Sequence, residues 1–400
     1  MTPINQPIAE QGRVVSIGDY IRGNIREYGM FIALIAIMVF FQISTGGVLF
    51  KPLNLTNIIL QNSYIVIMAL GMLLIIVAGH IDLSVGSVSG FIGAVAAVMM
   101  VTWKIDPFLT VVACLLLGAA IGGLQGFFVA YHKIPAFIVT LAGMLIFKGL
   151  ALTVLGGASV GPFPREFQLL SSGFIPDVFS AGTFNVIAMV IGALVTATIV
   201  YFNYRERLNQ QEHGLAEEPD IIFYGRNLLI AIAFLGFSFL MARYKGLPNV
   251  LIVMFALIAL FVFVTTNTTM GRRIYAMGGN EKATKLSGID TERLTFLIFT
   301  IMGALAALAG LVFAARLNVA TPKAGLGFEL DVIAACFIGG AATTGGVGKV
   351  IGAVIGAFIM GVMNNGMSIM GIGIDWQQVI KGAVLMLAVF LDVYYKNKAR

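Results

Sequence analysis

Chemistry in a chain this apolar must come from the few polar residues set inside or between its hydrophobic runs. Of 400 residues, 59% are hydrophobic and only 11% charged, so each carboxylate at the edge of such a run is hydrated, paired or used as a helix cap. Asp82 is the first, in Ala78-Gly79-His80-Ile81-Asp82-Leu83-Ser84-Val85-Gly86-Ser87. Either it N-caps the helix that follows, aided by the helix dipole, or it acts directly in a translocation path or its coupling. Glu329 and Asp331 open a later apolar run and are again well placed to cap. Asn364 and Asn365 lie side by side within a span, where two amides must face protein or water. They serve either helix–helix hydrogen bonding or a polar path. No catalytic constellation accompanies these groups. His80, His132 and His213 are scattered without metal-ligand spacing, and Cys114 and Cys336 sit inside apolar segments with no redox or metal pattern. No Ser-His-Asp or Cys-His arrangement is present, so the expectation is a non-enzyme without metal or cofactor. Gly345 to Lys349 looks like a phosphate-binding loop but fails as one. Thr343 replaces its first glycine and Val350 its Ser/Thr metal ligand, so this chain does not bind ATP by that route.

The elements that position these residues are membrane helices. Soluble domains carry about 25% charged residues, and 47 glycines in so apolar a chain suit close helix packing. A bilayer crossing needs about 20 apolar residues. Candidates fall near 29–50, 57–78, 83–102, 108–131, 135–156, 184–203, 227–244, 248–266, 294–315, 329–345, 347–371 and 376–395. The fold class is therefore all-α and polytopic, with about 10–12 spans. The pairs 57–102 and 329–371 have short Gly-rich connections and could each be broken or re-entrant. With both termini inside, sixteen Lys and Arg fall on the cytoplasmic side and seven outside, which sets the orientation. The net charge of +6 is thus topology and calls for no nucleic acid. Residues 1–28 form a polar cytoplasmic tail without a signal-peptide core, 29–395 the membrane domain, and 396–400 a second cytoplasmic tail. Residues 204–226, rich in both charges, read as a disordered cytoplasmic linker. The outer loop from Gly157 to Gly182 could meet an extracytoplasmic partner or close the bundle.

The most polar functional stretch lies within 267–293. Arg272 to Arg293 holds five Lys or Arg and three acids, so it lies in water on the cytoplasmic side. Gly278-Gly279-Asn280 is expected to make a flexible turn, and Glu281 to Ser287 a short helix closed by Gly288. Such a helix between two spans can serve as a rigid knob for a partner.

Gly271 to Ile289 closely resembles the cytoplasmic coupling loop of bacterial ABC-type monosaccharide importer permeases, with Thr284 where that family often has Ala. The Asp82 segment resembles the family's G-G-I-D-L-S-V-G-S signature, with His80 in place of Gly. Gly325 to Gly352 and the stretch Asn364-Asn365-Gly366 to Trp376-Gln377-Gln378-Val379 and Lys381-Gly382 resemble its C-terminal motifs in the same order. The added length near 184–244 is similar to the xylose and multiple-monosaccharide members of the branched-chain permease superfamily. The resemblance implies a type II importer permease for xylose-, galactose-, arabinose- or glucose-like sugars. It implies a separate ATP-binding subunit that holds the nucleotide, a periplasmic sugar-binding protein, a permease homodimer and an inner-membrane location in contact with lipid. It assigns coupling to Gly278, Gly279, Asn280, Glu281, Ala283, Ser287 and Gly288. Asp82, Ser84, Ser87, Glu329, Asp331, Asn364 and Asn365 then belong to the path or to its structural signature. The rival expectation is an ion-coupled secondary transporter using Asp82 or Glu329.

Overall fold

A computed structural model describes residues 25–179, 184–213 and 219–398, and divides the chain into two compact units. Among the described residues the larger comprises 30–174 and 248–398, the smaller 25–29 and those within 175–247. Helices account for nearly all regular structure, because a chain in lipid must satisfy its backbone within each segment. Nine helices among the described residues are long and apolar enough to cross a membrane.

In the larger unit α1 (Ile25–Ser44) and α2 (Pro52–Val77) lead into α3 (Val85–Ala97), which continues as a π-helical turn to Thr102. Then come α4 (Pro107–Ala130), α5 (Ala136–Leu155) and a one-turn α6 (Arg165–Gln168). Local chemistry sets the ends. Pro107 starts α4 while Asp106 Oδ1 accepts from the N–H groups of Phe108 (2.9 Å) and Leu109 (3.2 Å), and left-handed Gly156 stops α5. After the smaller unit the chain resumes with α9 (Val250–Asn267), followed by α10 (Thr269–Gly279), α11 (Glu281–Leu286), α12 (Thr291–Leu317), α13 (Phe328–Ile338), α14 (Val350–Ile369) and α15 (Ile374–Lys398). The core lies on α2 and α14, 83% buried over their apolar windows, whereas α5 at 22% turns most of its surface outward. Gly118, Gly122 and Gly126 of α4 press on Gly303, Phe299 and Phe296 of α12 so closely that no side chain fits between the backbones.

The expected span at 329–345 is not a single helix. α13 has 11 residues, about 16 Å at 1.5 Å per residue, too short to cross alone. Before it, 318–327 is without helix, and within it Ala320 exchanges backbone hydrogen bonds with Val160 (2.9 and 3.0 Å). That segment ends where Gly325, at φ +82°, lies against the Gly86 carbonyl of α3 with no space for a Cβ. After α13, 339–349 is turn and extended chain. The crossing is broken: a non-helical half followed by a half-helix. By contrast, 57–102 forms two separate helices joined by 78–84.

The smaller unit is a helical hairpin, α7 (Val186–Glu212) and α8 (Asp220–Ala242). Its open end is tied by Ile175 N–H to Leu247 O (3.0 Å) and Asn185 N–H to Ala242 O (2.9 Å). The linker expected over 204–226 is therefore mostly helix, with only 214–218 outside the described residues. Charge alone does not prevent this, since each helix simply extends past its apolar part. Arg207 pairs with Asp220 and stacks 4.4 Å over the Phe223 ring, while Asn203 Nδ2 donates to Asn227 Oδ1 at 2.9 Å. Residues 1–24 and 399–400, most of the expected tails, lie outside the described residues.

Candidate coupling and translocation site

One end of the larger unit gathers the end of α2, the α4–α5 connection, α10 to the start of α12, and the chain after α13. α10 is amphipathic, with Gly271, Ile274 and Met277 buried and Arg272 and Arg273 exposed. Tyr275 Oη donates to Gly348 O at 2.6 Å, and burial pushes its phenol above the usual range. Gly278 faces the Val77 carbonyl and the Gly346 N–H, which themselves bond at 2.8 Å, and leaves no room for a Cβ. The two glycines differ from expectation: both are helical, and the chain breaks only at Asn280 (φ −160°, ψ 98°). Nothing crowds Gly279, so close approach restricts Gly278 alone. The Gly346 N–H is committed to Val77, a further reason why 345–349 is no phosphate cradle.

Asn280 Oδ1 then accepts from Ala283 N–H (3.0 Å) and starts α11, and Gly288 at φ +81° closes the turn after it, as expected. Ser287 Oγ donates to Ala283 O at 3.0 Å. Thr284 is buried at the rear of this helix, whereas Glu281, Ala283, Lys285 and Ser287 are exposed and Leu286 is 90% exposed. Glu292 clamps the rear. Its Oε1 accepts from Lys133 of the α4–α5 connection (3.0 Å) and from Lys285, a hydrogen bond that holds the Lys285 ammonium above its ordinary pKa. The result is a short helix fixed from behind that offers an apolar tip to water.

The second cluster lies at the broken crossing. Asp331, in the first turn of α13, receives Lys381 Nζ of α15 on both oxygens (2.9 and 3.2 Å) and Asn364 Nδ2 of α14 at 3.3 Å. Both charges are shielded, with side-chain exposures of 8% and 15%. Three helices thus meet on one ion pair. Asn364 Oδ1 is buried without a partner. Asn365, one residue on, points elsewhere and forms a reciprocal amide pair with Asn54 of α2 (2.9 and 3.1 Å). Glu329 is half-buried and its carboxylate lies beside Gly86. Next to this head of α13, Tyr64 stacks on Phe328 (centroids 4.2 Å), with Phe313 edge-on to both.

Asp82 belongs to a third group. It is 3% exposed, and Oδ1 accepts both the N–H (2.8 Å) and the hydroxyl (2.7 Å) of Ser84. Ser84, not Asp82, stands at the N-cap of α3, so the expected capping bond is replaced by a bond one step earlier that shapes the 78–84 connector. The Ser84 hydroxyl also meets Gln125 of α4 (3.0 to 3.1 Å), which ties the connector to the bundle. Ser87 is buried in the first turn of α3.

The expected residues therefore separate. Gly278 to Gly288 come together as one device, Asp331 joins Asn364, and Asn365, Asp82 and Glu329 each face different neighbours. Tyr64, Gln125, Lys133, Glu292 and Leu286 have no assigned role in the sequence reading, and Lys381 enters it only as part of the C-terminal motif. Only Lys381 carried a signal, a cation within an apolar run.

Apolar helices around a broken crossing, with a fixed helical knob at one end, define a polytopic transport permease. The chain belongs to the family described as branched-chain amino acid transport system / permease component, whose model matches residues 54–389. It is 40% identical to the xylose transport system permease protein XylH of Escherichia coli (strain K12) over 378 residues, 94% of each chain. The corresponding protein of Haemophilus influenzae is 39% identical over 377 residues, 94% of this chain and 98% of that one. The ribose import permease protein RbsC of Escherichia coli (strain K12) is 34% identical over 362 residues, 90% of this chain and 92% of the relative. No solved structure matches the chain.

Proposed function

We propose that this chain forms the sugar pathway of an ATP-driven inner-membrane importer for a monosaccharide, of the xylose or ribose kind rather than an amino acid. The observation that carries the reading is end-to-end similarity to xylose and ribose permeases, over nine-tenths or more of each chain. Both termini face the cytoplasm in this reading. A separate subunit binds and hydrolyses ATP, a periplasmic binding protein delivers the sugar, and two copies of the chain enclose the path. No cofactor belongs to this chain itself. α11 is the docking knob, and Leu286 is its apolar anchor for the ATPase subunit. Motion at the knob reaches the broken crossing through Gly278, Gly346 and Tyr275, because α10 is seated on the chain that leads out of α13. Within the path, Glu329 and Asn364 are the polar groups left to meet sugar hydroxyls. Asp82 and Asn365 are occupied in holding helices together. A neutral sugar needs no fixed counter-charge, in keeping with the scarcity of free charges in the spans.

Reconstitution tests this. Proteoliposomes carrying the permease alone should not accumulate sugar under a proton or sodium gradient, whereas adding the ATPase, the binding protein and ATP should give uptake. Leu286→Glu should abolish ATPase association and uptake together while membrane insertion is kept. Accumulation by the isolated permease would restore the ion-coupled reading with Asp82 and Glu329 as its sites.

A further inference from the structure

We propose that the groove between α10 and the start of α12 is a binding site for the headgroup of an anionic phospholipid of the inner leaflet. A cavity of ≈460 Å³ opens there, and its rim carries Arg273 from α10 and Arg293 from α12. Both side chains are exposed, and neither has an ion-pair partner among the described residues, unlike Lys285 a few residues away. Asp290 is the one acid on the rim, and its Oδ1 already accepts the Arg293 N–H at 2.8 Å as the cap of α12. Two guanidinium groups against one carboxylate leave the rim cationic.

The wall of the groove changes character with depth. Met270 and Leu294 line it behind the arginines, and Leu297, four residues after Arg293 and so on the same face of α12, is 40% exposed. α12 is a membrane-crossing helix, and α9 leaves its span only three residues before Met270. The groove therefore runs from water at Arg273 and Arg293 into the hydrocarbon at Leu297. Guanidinium groups match phosphate oxygens in paired hydrogen bonds, and an apolar floor at membrane depth suits an acyl chain. A soluble anion would leave that floor empty. The ATPase subunit is the less suitable occupant: of the coupling residues only Gly288 lines the cavity, and Leu286, the exposed apolar tip of the knob, does not.

The test uses purified permease titrated with phosphatidylglycerol or phosphatidylcholine and read by native mass spectrometry. Arg273→Gln with Arg293→Gln should weaken phosphatidylglycerol binding by about 25-fold, the product of roughly fivefold for each cation, and leave phosphatidylcholine unchanged. Arg272→Gln, which removes one positive charge outside the cavity, should leave both unchanged. Equal loss with Arg272→Gln would mean diffuse attraction and no site. Displacement of the lipid by millimolar inorganic phosphate would make it a soluble-anion site. Retained lipid with loss of ATPase association in the double variant would assign the groove to the subunit. Each of these overturns the proposal. Leu297→Trp gives a second reading if the double variant folds poorly. Its fluorescence, measured against the parent with Trp103 and Trp376, should be quenched more by brominated phosphatidylglycerol than by brominated phosphatidylcholine, and equal quenching refutes the site.

Discussion

Replacing either member of the Asp331–Lys381 pair should destabilise the protein far more than replacing both. Lys381→Met leaves the Asp331 carboxylate, 8% exposed, with only the 3.3 Å bond from Asn364. Asp331→Asn leaves an ammonium, 15% exposed, without its counter-charge. An exposed pair would cost only about 0–1 kcal/mol to break. Stranding one charge of a buried pair costs about 3–5 kcal/mol. The double variant strands no charge, and its amide in place of the Asp331 carboxylate would still offer an oxygen to Asn364. It should therefore be much nearer to the parent than the sum of the single variants. The expected coupling is about 3 kcal/mol or more. Thermal unfolding followed by a thiol-reactive dye gives the order directly, because Cys114 and Cys336 are fully buried and react only as the bundle opens. Two large downward shifts for the single variants and a small one for the double are expected. If the single variants melt with the parent, or the double loses as much as both together, the pair does not hold α13 to α15 and the reasoning fails.

Two further outcomes follow from the other clusters. Asp82→Asn keeps one oxygen for the Ser84 N–H and should retain most sugar uptake, whereas Asp82→Leu, which orphans that buried N–H at about 1–3 kcal/mol and leaves the Ser84 hydroxyl with Gln125 alone, should lose it. Equal loss in both would mean that the charge itself is used. For orientation, Lys285→Cys should be protected from membrane-impermeant thiol reagents in intact cells and Glu166→Cys labelled, with little background from the buried native cysteines. The opposite pattern would invert the topology.

Much of this protein was legible in its sequence because the relevant signals are local. Apolar runs of membrane length give helices wherever the backbone must satisfy itself in lipid, and Pro107, Asp106 and Gly156 mark their ends within a turn. Loop charges within a few residues of each span carry the orientation proposed for the chain. The short helix α11 was readable from the turn residues before Glu281 and from Gly288 at its close.

What the tertiary structure decided is which distant residues meet. The Gly-rich connection within 329–371 allowed for a broken or re-entrant crossing, but nothing local says where the break falls or that the apolar run at 329–345 holds only an 11-residue helix. The break depends on Gly325 resting on Gly86, about 240 positions earlier in the chain. Lys381 reads as a stray cation until α15 brings it to Asp331, fifty residues upstream. The 204–226 segment looked disordered because its partners, Arg207 with Asp220 and Asn203 with Asn227, lie on opposite arms of a hairpin. Gly278 reads locally as part of a flexible turn, and is a close-packing point only because Val77 and Gly346 lie against it. Periodicity and capping act over a few residues, so local sequence determines where helices begin and end. Buried charge pairs and backbone contacts depend on which surfaces coincide after packing, and only the folded bundle determines that.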